Sequence, residues 1–195
     1  MSAAFDTVDH NILPDRLGVA FGIQGTAPSW IESFVRGRPQ RVSFAGGHSC
    51  SSSVTCGVPQ GSVLGPVIFV LYTADVITIA RRHDIGVHSY ADDTQLYQHS
   101  VAKMRVASIP RLVSCIDNFN KWMSFNRWKL NSDKTDFILL GTHQQLAKIN
   151  CKSIQINGCD ILISNQATFL GALVDIRPPA LVSWSISGHL PWYPG

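Results

Sequence analysis

The sequence predicts an α+β fold, an antiparallel sheet with helices packed on one face, and three observations predict it. Two apolar and aromatic runs, Gly86 to Tyr90 and Thr94 to Tyr97, meet at the adjacent acids Asp92 and Asp93, the pattern of a β-hairpin with carboxylates at its tip. Two longer stretches, Pro66 to Arg82 and Arg111 to Trp128, flank that hairpin with apolar residues at helical spacing. Further strand-like runs follow, so strands and helices alternate along the chain.

Composition narrows the class. At 195 residues the chain suits one domain or a piece of a larger one, and 45% hydrophobic with 15% charged residues excludes a disordered chain. The net charge of +3 is too small to announce a nucleic-acid partner by itself, although the basic residues are unevenly placed. Cys50, Cys56, Cys115, Cys151 and Cys159 form no C-x-x-C pair and no zinc-like spacing with histidine. They read as reduced structural thiols in an intracellular protein, cytoplasmic or nuclear. No signal peptide is visible at Met1, and the apolar run from Val67 to Ala80, broken by Thr73, Asp75 and Thr78, is shorter than a bilayer span.

Taken in order, the residues around Ala3 to Phe5 read as a strand, with Phe5 a ring suited to core packing. Asn11 to Gly25 and Ser29 to Val35 carry helical spacing, the first with Pro14 near its start and Gly22 and Gly25 near its end. Arg36, Arg38 and Arg41 crowd the next loop, where guanidiniums suit phosphate oxygens and also suit a solvated turn. Val42 to Phe44 and Ser53 to Thr55 alternate like two strands joined near Gly46 and Gly47. Gly57 to Pro66 then packs three glycines and two prolines into ten residues, a loop able to lie flat against a nucleotide or base.

Pro66 to Arg82 is apolar nearly all round, which predicts a core helix beneath a sheet, with Arg81 and Arg82 complementing its C-terminal dipole. In the second long helix, Leu112, Cys115, Ile116, Phe119, Trp122 and Met123 mark the buried face. Ile154 to Gly158 and Ile161 to Ile163 predict a further hairpin. Residues 1–175 make the domain, and 176–195, rich in proline and tryptophan, read as an aperiodic tail.

Several of these stretches resemble blocks of the non-LTR (LINE-type) reverse transcriptases, in that family's order. Ser2-Ala3-Ala4-Phe5-Asp6-Thr7-Val8 is similar to the first palm block, Gly57-Val58-Pro59-Gln60-Gly61-Ser62 to the second, and Tyr90-Ala91-Asp92-Asp93 to the active-site signature. Trp128 to Gly141 resembles the block bearing the family's lysine, at Lys134, and Ala167 to Asp175 the block that grips the primer.

The resemblance implies a reverse-transcriptase palm, a ferredoxin-like antiparallel sheet, without fingers or thumb. It implies RNA-templated DNA synthesis from deoxynucleoside triphosphates on an RNA template and a DNA primer, with two Mg²⁺ ions, or Mn²⁺ in their place. In the matching positions, Asp92 and Asp93 hold metal and Lys134 assists catalysis. Phe5, Gln60, Gly61 and Tyr90 meet the nucleotide, and Phe169, Leu170 and Gly171 join the three arginines in contacting nucleic acid. The family's first metal-binding aspartate falls two residues ahead of Ser2, where only Met1 stands, so the chain alone is expected to be inactive. A non-catalytic nucleic-acid-binding remnant and a truncated relic are the other readings.

Overall fold

The opening residues form a turn rather than the expected strand. In the computed structural model, which describes residues 4–91, 93–99, 105–126, 128, 130, 135–141, 143–147, 149, 151–156, 158–169, 172–175 and 183–189, Ala4–Thr7 is a single 3₁₀ turn. The loop at 56–58 captures its backbone. The Val58 N–H donates to the Phe5 carbonyl and the Gly57 N–H to the Val8 carbonyl, both at 2.7 Å, and Asp9 bridges Cys56. With those groups satisfied locally, the segment has no need of a sheet.

The chain divides into two compact units, residues 3–75 and 76–195. In the first, helices α1 (Ile12–Phe21) and α2 (Thr26–Val35) follow the turn. Gly22 closes α1 in the left-handed region, its N–H reaching the Gly18 carbonyl while the Ile23 N–H reaches that of Leu17, as the glycine position predicted. Next come four two-residue strands, β1 (Pro39–Gln40), β2 (Ser43–Phe44), β3 (Gly47–His48) and β4 (Ser52–Ser53). They form nested antiparallel pairs, β2 with β3 and β1 with β4, so Val42 to Phe44 does not pair with Ser53 to Thr55 as expected. Helix α3 (Leu64–Thr73) completes the unit, whose interior gathers Val8, Leu13, Leu17, Val35, Val58, Ile68, Phe69 and Tyr72. Arg16 ties its helices: it donates to the Tyr72 carbonyl, lies 4.9 Å over that ring, and pairs with Asp75 at 3.1 Å.

The predicted core helix is two helices. α3 gives way at Ala74 to α4 (Asp75–Arg82), and Thr73 Oγ1 bonds back to the Phe69 and Val70 carbonyls at 3.0 and 3.3 Å, a habit that bends helices. Nor is α3 enclosed, because Val63, Val67 and Val70 are 90%, 53% and 61% exposed. Leu64–Arg82 together is 19 residues, long and apolar enough to cross a membrane by length and composition, where the sequence reading took only the shorter run from Val67.

The second unit is built on a six-stranded sheet. β5 (Gly86–Tyr90) and β6 (Asp93–His99) form the expected hairpin, and α5 (Arg105–Phe125) leads to β7 (Asp136–Leu139). A short helix, α6 (His143–Leu146), precedes the hairpin of β8 (Ser153–Ile156) and β9 (Cys159–Ser164). β10 (Gln166–Phe169) and β11 (Ala172–Asp175) pair apart from the sheet. The tail, expected to be aperiodic, contributes β12 (Ser183–His189), which lies between β6 and β7 and is antiparallel to both. The order is β5-β6-β12-β7-β9-β8, antiparallel except where β7 meets β9.

The core lies on one face of this sheet. Leu112, Cys115, Ile116 and Phe119 of α5 and Val76 and Ala80 of α4 pack with Leu96, Phe137, Leu139, Ile154, Ile156 and Ile161. The face predicted for α5 is therefore the one it buries, although the helix starts ahead of Pro110 rather than after it.

Burial pushes the Cys115 thiol from its ordinary 9.0 up to about 12. The unfolded thiol ionises first as pH rises, so this contribution to stability is intact below about pH 9 and is lost between about 9 and 12. Denaturation midpoints across that range should fall more steeply for the native chain than for Cys115→Ala, by at most ~1.4 kcal/mol per pH unit. In the folded protein iodoacetamide should label the exposed Cys50 and Cys159 and spare Cys115.

Candidate active site

The acidic hairpin is closed by the pair Tyr90↔Asp93 across a two-residue turn whose first residue, Ala91, has φ +50°. Two-residue hairpin turns need left-handed backbone, which costs a non-glycine residue about 1–2 kcal/mol. Alternation assigns the faces. Val87 and Leu96 are opposite each other on the core side, whereas Tyr90↔Asp93, His88↔Gln95 and Gly86↔Tyr97 share the other side. Asp93 is half-buried there, beside a Tyr90 that is 68% exposed. Asp92 lies outside the described residues.

The first unit gathers Phe5, Gln60 and Gly61. Phe5 is half-buried, its ring centroid 4.9 Å from that of Phe69 at 40°, so one face packs on α3. Gln60 is exposed, and its Nε2 donates to Asp6 Oδ1 at 3.0 Å. Gly57, at φ +90°, sits so close that a Cβ would lie 2.8 Å from Asp6 Cα. Its carbonyl accepts from the buried His10 Nε2 at 2.6 Å, which puts the imidazole proton on that nitrogen. Ser62 Oγ donates to the Pro59 carbonyl at 2.6 Å and accepts from the Gly65 N–H at 3.1 Å, pinning the loop to the start of α3. Gly61, at φ +76°, is exposed, and a Cβ placed on it would meet nothing within 4 Å.

The arginines do not act as one cluster. Arg36 pairs with Glu32 at 2.8 Å and donates to the His10 carbonyl and Asn11 Oδ1 at 3.0 and 2.9 Å, a brace between α2 and the start of α1. Arg38 lies 5.2 Å over the Phe34 ring, and Arg41 is exposed with no partner among the described residues. At the other end of the chain Phe169 pairs with Ala172 in the β10–β11 hairpin, while Leu170, Gly171 and Lys134 lie outside the described residues. No group of three His, Cys, Asp or Glu side chains able to hold a metal occurs among the described residues. Asp93, with Asp92 beside it in sequence, carries hard carboxylate oxygens, the ligand type that magnesium takes. The Asp6–Gln60 bond and the seat of Gly57 escaped sequence reasoning, which signals a tight loop but not its contact.

Residues 1–174 match the family described as "Reverse transcriptase (RNA-dependent DNA polymerase)". The chain is 27% identical over 150 residues to the "RNA-directed DNA polymerase from mobile element jockey" of Drosophila melanogaster, covering 74% of this chain and 16% of that protein. Its counterpart in Drosophila funebris is 28% identical over the same shares. The "Probable RNA-directed DNA polymerase from transposon X-element" of Drosophila melanogaster is 27% identical over 186 residues, 89% of this chain and 18% of that protein. The chain thus spans less than a fifth of the length of these relatives. No solved structure matches.

The two loop glycines should separate on substitution. Gly57→Ala combines left-handed strain with a clash against backbone and should cost roughly 2–4 kcal/mol, whereas Gly61→Ala bears strain alone, about 1 kcal/mol. Urea denaturation of the two variants measures the difference.

Proposed function

Because this chain belongs to the reverse transcriptase (RNA-dependent DNA polymerase) family, we propose that it is the part of such a polymerase that carries nucleotidyl transfer, with Asp92 and Asp93 as its metal-holding carboxylates. The observation that carries this is the hairpin itself: Tyr-Ala-Asp-Asp stands at a two-residue turn, with Asp93 on the face turned away from the hydrophobic core. In the reaction the primer 3′-oxygen bonds to the α-phosphorus of a deoxynucleotide, the bond to the β-phosphate oxygen breaks, and pyrophosphate leaves. Magnesium bound at these carboxylates would supply Lewis-acid stabilisation of the attacking and leaving oxygens.

The other residues take roles around that step. Lys134 offers a proton or charge to the departing pyrophosphate. Gln60 and Gly61 form the nucleotide and template side, supported by the exposure of Gly61. Phe5, held by Phe69 on one side, presents the remainder of its ring as a gate against a ribose 2′-hydroxyl. Tyr90 is a nucleotide contact, exposed at the turn. Arg38, Arg41 and the β10–β11 hairpin take the primer–template backbone, and the intracellular setting agrees with free cysteines.

The finer reading of the second unit is a palm. Its support is the run β5, β6, α5, β7, in which β6 and β7 flank one antiparallel strand, the arrangement of a split β-α-β unit.

Primer extension on an RNA template with Mg²⁺ tests the assignment. By the resemblance the remaining carboxylate precedes Ser2, so extension is expected from the chain joined to the family's Asp-Leu and flanking regions. Asp92→Ala in that protein should lower it by at least ~10²–10³, and equal extension would remove the hairpin from the chemistry. In the same protein Phe5→Val should raise ribonucleotide incorporation while sparing deoxynucleotides; unchanged selectivity would return Phe5 to core packing.

A further inference from the structure

The face of the β5–β6 hairpin that carries Asp93 also carries a row of rings that the chemistry above does not use. His88 stacks on Tyr97 with centroids 4.7 Å apart and planes at 11°, and His99 meets Tyr97 edge-on at 5.8 Å and 71°. Gly86 makes this row possible. It is paired with Tyr97 across the strands, and a Cβ there would lie 2.4 Å from Tyr97 Cζ, inside the ring. The tyrosine therefore lies flat over the neighbouring strand because position 86 has no side chain. None of the three rings joins the hydrophobic core, which Val87 and Leu96 reach from the opposite face. Both imidazoles are exposed, and β5 and β6 hold no Lys or Arg.

We propose that His88, Tyr97 and His99 form a stacking platform for the nucleic-acid strand that leads away from the Asp92–Asp93 turn. The proposal rests on the reverse-transcriptase reading for the position of the reacting end and adds a contact surface to it. A cross-strand aromatic pair meant only to steady the hairpin needs two partners, not three, and needs no exposed imidazoles. In a paired primer the base faces are covered by one another, so rings on an open sheet face meet the flat apolar side of the deoxyribose sugars, a contact indifferent to sequence. From Asp93 to His99 the strand runs roughly 20 Å. A nucleic-acid strand laid along it, at about 3.4 Å per nucleotide, would meet Tyr97 and His99 about four to six nucleotides behind the reacting end. With no Lys or Arg on either strand, the platform contributes by ring packing rather than by releasing counterions.

The test is fluorescence anisotropy of a labelled DNA primer annealed to an RNA template, binding the intact chain across a salt series. Tyr97→Leu and the double variant His88→Ala/His99→Ala should each weaken binding at least about fivefold, with the slope of affinity against salt unchanged. Tyr97→Phe, which keeps the ring, should bind as the native chain does. Arg41→Ala should instead lower the slope. Circular dichroism and urea midpoints check that the variants fold, and the two histidine substitutions fall at exposed positions. Unchanged affinity in both ring variants, or a loss confined to the salt slope, would overturn the platform while leaving the carboxylate assignment standing. Failure of the intact chain to bind the duplex would overturn it as well.

Discussion

Register in the β5–β6 hairpin is the constraint on which the second unit depends. Side chains alternate with a period of two, so a slip by one residue would turn Leu96 to solvent and Asp93 toward the core. Burying an unpaired carboxylate costs several kcal/mol, and exposing Leu96 forfeits about 2 kcal/mol of apolar burial. Two features hold the register. The turn admits two residues with Ala91 left-handed, and Gly86 opposite Tyr97 is the position where that ring fits. The same alternation gives the hairpin one face for packing and another that carries Asp93.

The first unit is arranged around a different constraint, the close approach of a loop to a turn. Gly57 accepts the His10 proton, donates to Val8 and leaves no room for a Cβ beside Asp6. Those contacts hold Phe5 against Phe69 and bring Gln60 to Asp6, so the residues assigned to the nucleotide are positioned by backbone geometry rather than by a sheet. The buried polar residues Thr7, Asp9 and His10 belong to this junction.

How much of this was legible in the sequence depends on the range over which the deciding interaction acts. The acidic hairpin, the buried stripe of α5 and the β8–β9 hairpin were readable because periodicity and turn residues are local signals. The 3₁₀ turn at Ala4–Thr7 was not, since its backbone partners lie some fifty positions away at 57 and 58. The open face of α3 was hidden because an all-round apolar helix tells nothing of which faces find partners. Arg36 was legible only as one of three arginines in a basic loop, and not its bonds to Glu32, His10 and Asn11, two of them distant in sequence. β12 is instructive in another way. Trp184 and Ile186 alternate with Ser183, Ser185 and Ser187, a period-two signal that the prolines on either side outweighed. The metal-holding role proposed for Asp92 and Asp93 comes from resemblance to a family, as no spacing rule distinguishes that doublet from a solvated turn.

The most direct measurement of the central claim, that the hairpin turn holds a divalent metal, is paramagnetic broadening of backbone amide signals by Mn²⁺ in the 21.4 kDa chain. At low Mn²⁺ the amides of Tyr90, Ala91 and Thr94 should broaden first, and Asp92→Asn or Asp93→Asn should abolish the effect. Broadening that begins elsewhere, or that persists at the turn in both variants, would contradict the account.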